Sequence, residues 1–142
     1  MIPHKITLQS SINVPVQLAW ATLTEPKHIV KWNFASPQWH CPSATVDLAI
    51  NGKFNYRMEA KDGSFGFDFS GVYSKIIPYQ QLCYTLDDGR TSELTLSSDG
   101  TSTKIIQTFE AETENSVELQ RNGWQIIMDN HKKYSEDLSI TS

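Results

Sequence analysis

From residue 44 to residue 110 the chain reverses direction repeatedly: six strand-length segments follow one another, most of them closed by a glycine turn. Residues 44–50 end on Asn51-Gly52, a dipeptide suited to a two-residue hairpin turn. In 53–60, Phe54, Tyr56 and Met58 share one face by the period of two that marks a half-buried strand. Lys61-Asp62-Gly63 makes the next turn. In the long segment 65–77, Phe65, Phe67 and Phe69 alternate with Gly66 and Asp68, and Pro78 ends it. Gly71, inside that segment, predicts a bulge or sharp bend. Segments 81–86, 91–97 and 102–110 follow, with turns at Asp87-Asp88-Gly89 and Ser98-Asp99-Gly100. Strands joined by such short turns pair antiparallel with their neighbours in sequence.

The flanks have other periods. Residues 4–13 alternate, with Ile6, Leu8 and Ile12 on one face and Thr7, Gln9 and Ser11 on the other, a first strand. Pro15 stands at a helix start. Val16, Ala19, Trp20 and Leu23 then fall at i, i+3, i+4 and i+7, one apolar stripe. Thr24-Glu25-Pro26 restarts the pattern in a short second helix carrying Ile29, Val30 and Trp32, and 33–43 reads as irregular, with Pro37 and Pro42. Residues 116–138 form a long amphipathic helix, with Asn115 and Glu118 as the expected capping pair. Its inward face centres on Ile127, Tyr134 and Leu138. Trp124 and His131 flank that face on one side; Leu119, Gly123 and Asn130 flank it on the other, and Gly123 is expected to let the helix lie close on the sheet. The expected fold is α+β: a curved antiparallel sheet of about six to seven strands wrapped around the long C-terminal helix, with two short helices after the first strand.

At 142 residues this is one domain, 1–142. Twelve Lys and Arg against 16 Asp and Glu leave a net charge of −4, which argues against a sequence-independent nucleic-acid partner. The apolar runs fall far short of the ~20 residues of a membrane helix, so no membrane partner is expected either. Met1-Ile2-Pro3-His4-Lys5 carries no apolar signal stretch, and two cysteines, Cys41 and Cys83, cannot build a disulfide framework. The expectation is a reduced, cytoplasmic protein. Nothing in the sequence excludes a homodimer.

The chemistry-bearing motifs are few. The four histidines, His4, His28, His40 and His131, make no i+3 or i+4 pair, and there is no Cys-x-x-Cys, so no metal is expected. With no nucleophile elbow and no phosphate loop, no nucleotide and no other cofactor is expected. His131 has two readings: a polar or proton-transferring group facing inward, or a half-exposed histidine on the helix surface, the commoner fate and the one expected. Tyr134 could likewise present its hydroxyl inward or simply pack. Arg57, Glu59 and Asp68 lie out of phase with the aromatic face and read as solvent-facing. The 4 Trp, 5 Tyr and 6 Phe concentrate on that aromatic face, which by composition alone reads as solid core.

The order of elements and several local phrases resemble the START-like (SRPBCC, helix-grip) superfamily. The nearest branch holds homologues of the heat-shock-protein-90 ATPase activator C-terminal domain and polyketide-cyclase-like proteins. Asn13-Val14-Pro15 with Trp20 is similar to the family's opening. Thr24-Glu25-Pro26-Lys27-His28-Ile29-Val30-Lys31-Trp32 is similar to its "(T/D)-P-x-H-(L/I)-x-x-W" segment. Asn51-Gly52-Lys53-Phe54 with Tyr56 and Met58 resembles "G-G-x-(F/W)-x-Y-x-M". Asp62-Gly63 with Gly71-Val72-Tyr73, Ile76 and Pro78 resembles "D-G…G-x-Y-x-x-I-x-P", and Gly123-Trp124 its final "G-W". Asn33 departs from the pattern, standing where many members carry a second Trp.

The resemblance implies a hydrophobic cavity between sheet and long helix, and so a protein that binds a mainly apolar small molecule. The alternatives it implies are a cyclase- or hydrolase-like enzyme using polar cavity groups, and a chaperone-interacting module. It turns the aromatic face from core into cavity wall. The expected lining is Phe54, Tyr56, Met58, Phe67 and Phe69 from the strands, with Trp124, Met128, His131 and Tyr134 from the helix.

Overall fold

The computed structural model describes residues 4–141; the reading of Met1-Ile2-Pro3 lies outside the described residues. Seven strands make one antiparallel sheet: β1 (Lys5–Ile12), β2 (Trp39–Val46), β3 (Lys53–Ala60), β4 (Gly66–Ile77), β5 (Gln81–Leu86), β6 (Thr91–Ser98) and β7 (Thr103–Glu110). Their order is β1-β7-β6-β5-β4-β3-β2, so every neighbour but β1 is joined by a hairpin, and β1 pairs with β7 from Lys5↔Glu110 to Ile12↔Thr103. The sheet curls into a half-barrel around the long helix α3 (Val117–Thr141), with α1 (Val16–Thr24) and α2 (Pro26–Ile29) following β1. No helix among the described residues is long and apolar enough to cross a membrane.

Hydrophobic phase decides which side β1 and α1 bury. In β1 the residues Ile6, Leu8, Ser10 and Ile12 are all buried and their neighbours exposed. In α1 the stripe Val16, Ala19, Trp20 and Leu23 faces the core as its spacing predicts. Arg57 on β3 pairs outward with Glu59 at 3.0 Å and Asp68 at 3.6 Å, on the solvent side of the sheet.

Four local expectations are corrected. β2 starts at Trp39, inside the stretch that reads as irregular. Pro42 falls where the β2–β3 register shifts, between His40 and Ser43, and β2 is an edge strand, the place where a strand tolerates proline. Asn51-Gly52 is not a two-residue turn: β2 ends at Val46, and the Asn51 N–H and Gly52 carbonyl instead bond to Tyr73 at 2.8 and 2.9 Å, extending the β3–β4 ladder. The bulge in β4 lies between Tyr73 and Lys75 rather than at Gly71. It moves the inward phase from odd to even residues, so that Tyr73 and Ile76 both meet the core. Phe65 lies just before β4 and is 62 % exposed, so it does not share the concave face.

α3 departs from expectation in its cap and its face. Ser116, not Asn115, caps the helix, its Oγ accepting from the Leu119 N–H at 3.0 Å. The fully buried residues are Gln120, Met128, His131 and Ser135, with Ile127, Tyr134 and Leu138 only half-buried. At 100° per residue the buried face is rotated by roughly 60° from the one the apolar residues mark. Gly123 consequently meets nothing: a Cβ there would have no atom within 4 Å. Gly123→Ala is therefore expected to stabilise the protein by about 0.5–1 kcal/mol, the helix-propensity difference, rather than overpack it. Chemical denaturation of the two proteins measures this.

Candidate functional site

The space between the half-barrel and α3 is not filled. A cavity of about 410 Å³ lies there, partly open to solvent. β3 and β4 give it Tyr56, Met58, Phe67 and Phe69; α3 gives Trp124, Ile127, Met128 and His131. The far wall is Leu82 and Tyr84 of β5, Leu94 of β6, and Ile105 and Gln107 of β7. Leu23, Trp32 and the segment Asn33, Ala35 and Ser36 close one end, and Trp39 stands at the edge.

Seven of the nine expected lining residues meet in this space. Phe54 does not reach it: it is fully buried behind the wall, its ring 5.1 Å from Tyr56, 6.2 Å from Phe69 and 5.0 Å from Tyr84. Tyr134 points away, its hydroxyl 2.7 Å from His28 Nδ1. Trp124 stacks on Phe109 at 4.1 Å and meets Phe69 edge-on at 5.8 Å, which fixes the indole as a wall. At the mouth Trp39 packs against Phe65 and Phe67 at 5.9 and 5.8 Å, leaving Phe67 43 % exposed.

Tertiary hydrogen bonds hold the end segment in place. Trp32 Nε1 donates to the Thr22 carbonyl at 2.9 Å, and Asn130 Nδ2 donates to the Trp32 and Phe34 carbonyls at 3.4 and 2.8 Å. Asn33 Nδ2 reaches Met58 Sδ at 3.3 Å. These contacts turn an aperiodic stretch into part of the wall, so no pattern in the sequence marks it. The β5–β7 residues did carry a signal. Leu82, Tyr84, Leu94, Ile105 and Gln107 all stand in the buried phase of their strands.

The expectation of a half-exposed His131 is overturned. The ring is 2 % exposed, its Nε2 lies 2.9 Å from Thr22 Oγ1, and it meets Trp32 edge-on at 4.9 Å. Burial holds its pKa down at about 4, with the Ala19 carbonyl opposing, so it is neutral at pH 7. The phenols of Tyr56 and Tyr84 are pushed up by burial and are likewise neutral. The site is thus an uncharged, mainly apolar chamber with a few polar groups on its walls.

The comparisons with known proteins bear on the same features. The family model described as activator of Hsp90 ATPase homolog 1-like protein matches residues 13–136. The solution structure of an AHSA1-like protein from Aeromonas hydrophila is 37 % identical, covers 96 % of this chain and 94 % of its own, and superposes with a TM-score of 0.90. A solution structure from Cytophaga hutchinsonii is 39 % identical over 97 % of this chain and 96 % of its own, with a TM-score of 0.81. The crystal structure of a Nitrosomonas europaea protein, 22 % identical over 94 % of each chain, shares the fold with a TM-score of 0.82. No functionally curated protein matches. A half-barrel closed on a long helix, matched over nearly its full length, makes this chain a member of the activator of Hsp90 ATPase homolog 1-like family, within the START-like superfamily.

Proposed function

We propose that the protein binds one mainly apolar small molecule in the chamber between the sheet and α3. The observation that carries this reading is the cavity of about 410 Å³, within the roughly 300–1,000 Å³ usual for small-molecule sites. Its walls are aromatic and aliphatic, with isolated polar groups of the kind that orient a ligand. Binding is favoured over catalysis because the titratable groups of the lining, His131, Tyr56 and Tyr84, are all held neutral by burial. His131 has one ring nitrogen engaged and is neutral, and the hydrogen-bonded His28–Tyr134 pair lies outside the lining. The family description names an activator of the Hsp90 ATPase. A chaperone contact ranks second here, because the cavity is the feature that sets this site apart.

An apolar fluorescent dye is expected to bind saturably with a stoichiometry near one, quenching tryptophan emission. Trp32, Trp39 and Trp124 all border the chamber, so Trp124→Phe removes part of the quenching and not all of it. Phe67→Asp places a carboxylate at the mouth. Since Phe67 is 43 % exposed, the fold should survive, while dye affinity falls roughly tenfold from the charge beside an apolar ligand. Unsaturable dye uptake, or equal affinity in the folded Phe67→Asp variant, would overturn the reading. Native mass spectrometry of the purified protein looks for a ligand carried from the cell.

A further inference from the structure

The chamber's polarity has a direction, set by three buried side chains. Thr22 on α1 and His131 and Ser135 on α3 are all enclosed, and Thr22 Oγ1 is their hub. It lies 3.0 Å from the Leu18 carbonyl, 3.1 Å from the Ala19 carbonyl, 2.8 Å from Ser135 Oγ and 2.9 Å from His131 Nε2. A hydroxyl has one proton and two lone pairs. Two carbonyl oxygens at 3.0–3.1 Å can only accept, so the single Thr22 proton points at them. Were it turned to His131 instead, three oxygens would face one another with no proton between. The two lone pairs of Thr22 then accept, one from the Ser135 hydroxyl and one from His131. Nε2 therefore carries the imidazole proton.

Nδ1 is then left bare, with a lone pair and no proton. No hydrogen bond to it is seen among the described residues, it is not among the sealed side-chain atoms left without a partner, and His131 lines the chamber. We infer that His131 Nδ1 is a fixed hydrogen-bond acceptor presented to the chamber, which selects apolar ligands bearing a neutral hydroxyl, an alcohol or a phenol, over carboxylates and over ethers of the same shape. Thr22 and Ser135 act as positioning residues: they lock the tautomer without touching the ligand. The discrimination follows from what each group can offer. A hydroxyl donates to Nδ1, an ether cannot, and a carboxylate brings a second set of lone pairs and a charge into an apolar space. The low basicity of the buried ring keeps it from answering a carboxylate as an imidazolium. This inference rests on the ligand-binding reading above.

The test uses three probes of one shape: 1-naphthol, 1-methoxynaphthalene and 1-naphthoate, titrated against the wild-type protein at pH 7.5. One hydrogen bond predicts that the naphthol binds roughly threefold to tenfold tighter than the methyl ether, and the naphthoate weakest of the three. Ring 15N spectra of wild-type His131 read the mechanism directly. Before ligand is added, Nδ1 should resonate as an unprotonated nitrogen and Nε2 as a protonated one. Naphthol should shift Nδ1 and the ether should not. His131→Phe, if folded, should equalise naphthol and ether. An Nδ1-protonated ring, or naphthol binding that leaves Nδ1 unmoved, overturns the inference while binding of all three probes upholds the chamber as a ligand site. No binding by any probe sinks both.

Discussion

Lowering the pH from 7 to 4 is expected to remove about 3 kcal/mol of stability through His131 alone. Its folded-state pKa of about 4 lies below the ordinary 6.5. Between those values the unfolded chain takes up a proton that the folded chain refuses. The contribution is present in full above pH 6.5 and is lost progressively as the pH falls towards 4, at about 1.4 kcal/mol per unit. His28, also lowered by burial but less enclosed, adds in the same direction. Asp62, Asp88, Asp99 and Glu110 have lowered values too, and their contributions are lost as the pH falls below the ordinary carboxylate range. The difference between wild type and His131→Gln separates His131 from these. The amide can still donate to Thr22 but does not titrate, so the variant should lose about 3 kcal/mol less than wild type between pH 7 and pH 4. Urea denaturation at several pH values measures both slopes. Parallel curves would show that the ring is charged or exposed in the folded state.

That histidine also shows where the sequence stops being legible. The periodicity of 116–138 gives a long amphipathic helix, and the structure has one at Val117–Thr141. The apolar residues do not mark the buried face, because the wheel weighs apolar character while Gln120, His131 and Ser135 are buried through hydrogen bonds. His131 and Ser135 bond to Thr22, more than a hundred positions away, and so look like surface residues in any local window, while Gln120 bonds back to Glu112 ahead of the helix. Strands behaved better. Residues 81–86 are bounded on both sides by turn residues and match β5 to the residue. The aromatic face shows a third limit. Phe54 and Phe67 share the inward phase by alternation, yet one is fully buried behind the chamber wall and the other stands at its mouth. Period two gives the side of a sheet a residue faces, and not its depth. Whether an inward aromatic face is solid or hollow depends on how closely α3 sits on it, a distance no residue encodes by itself.

Gly71→Val is expected to cost about 3 kcal/mol and to move the chamber wall. Gly71 sits directly opposite Phe54 in the β3–β4 register. A Cβ there would lie 2.6 Å from the Thr85 carbonyl oxygen and 2.9 Å from two atoms of the Phe54 ring. The ring occupies the space a side chain would take, the familiar pairing of an aromatic across a strand from glycine. Neither neighbour can yield cheaply. The carbonyl belongs to β5, paired with β4 on that side, and the ring is wedged against Tyr56, Phe69, Tyr73 and Tyr84. Overpacking of this kind costs about 1–3 kcal/mol, with a β-branched residue against backbone at the upper end. The displacement also reaches the chamber. Phe54 packs against the two rings, Tyr56 and Phe69, that face it, so moving Phe54 moves that wall. Dye affinity should therefore fall along with stability in Gly71→Val. Phe54→Leu in the same background should recover part of both, since it removes the ring from the clash. A double-mutant cycle in which the two substitutions are simply additive would mean that Gly71 is required for some reason other than the Phe54 ring.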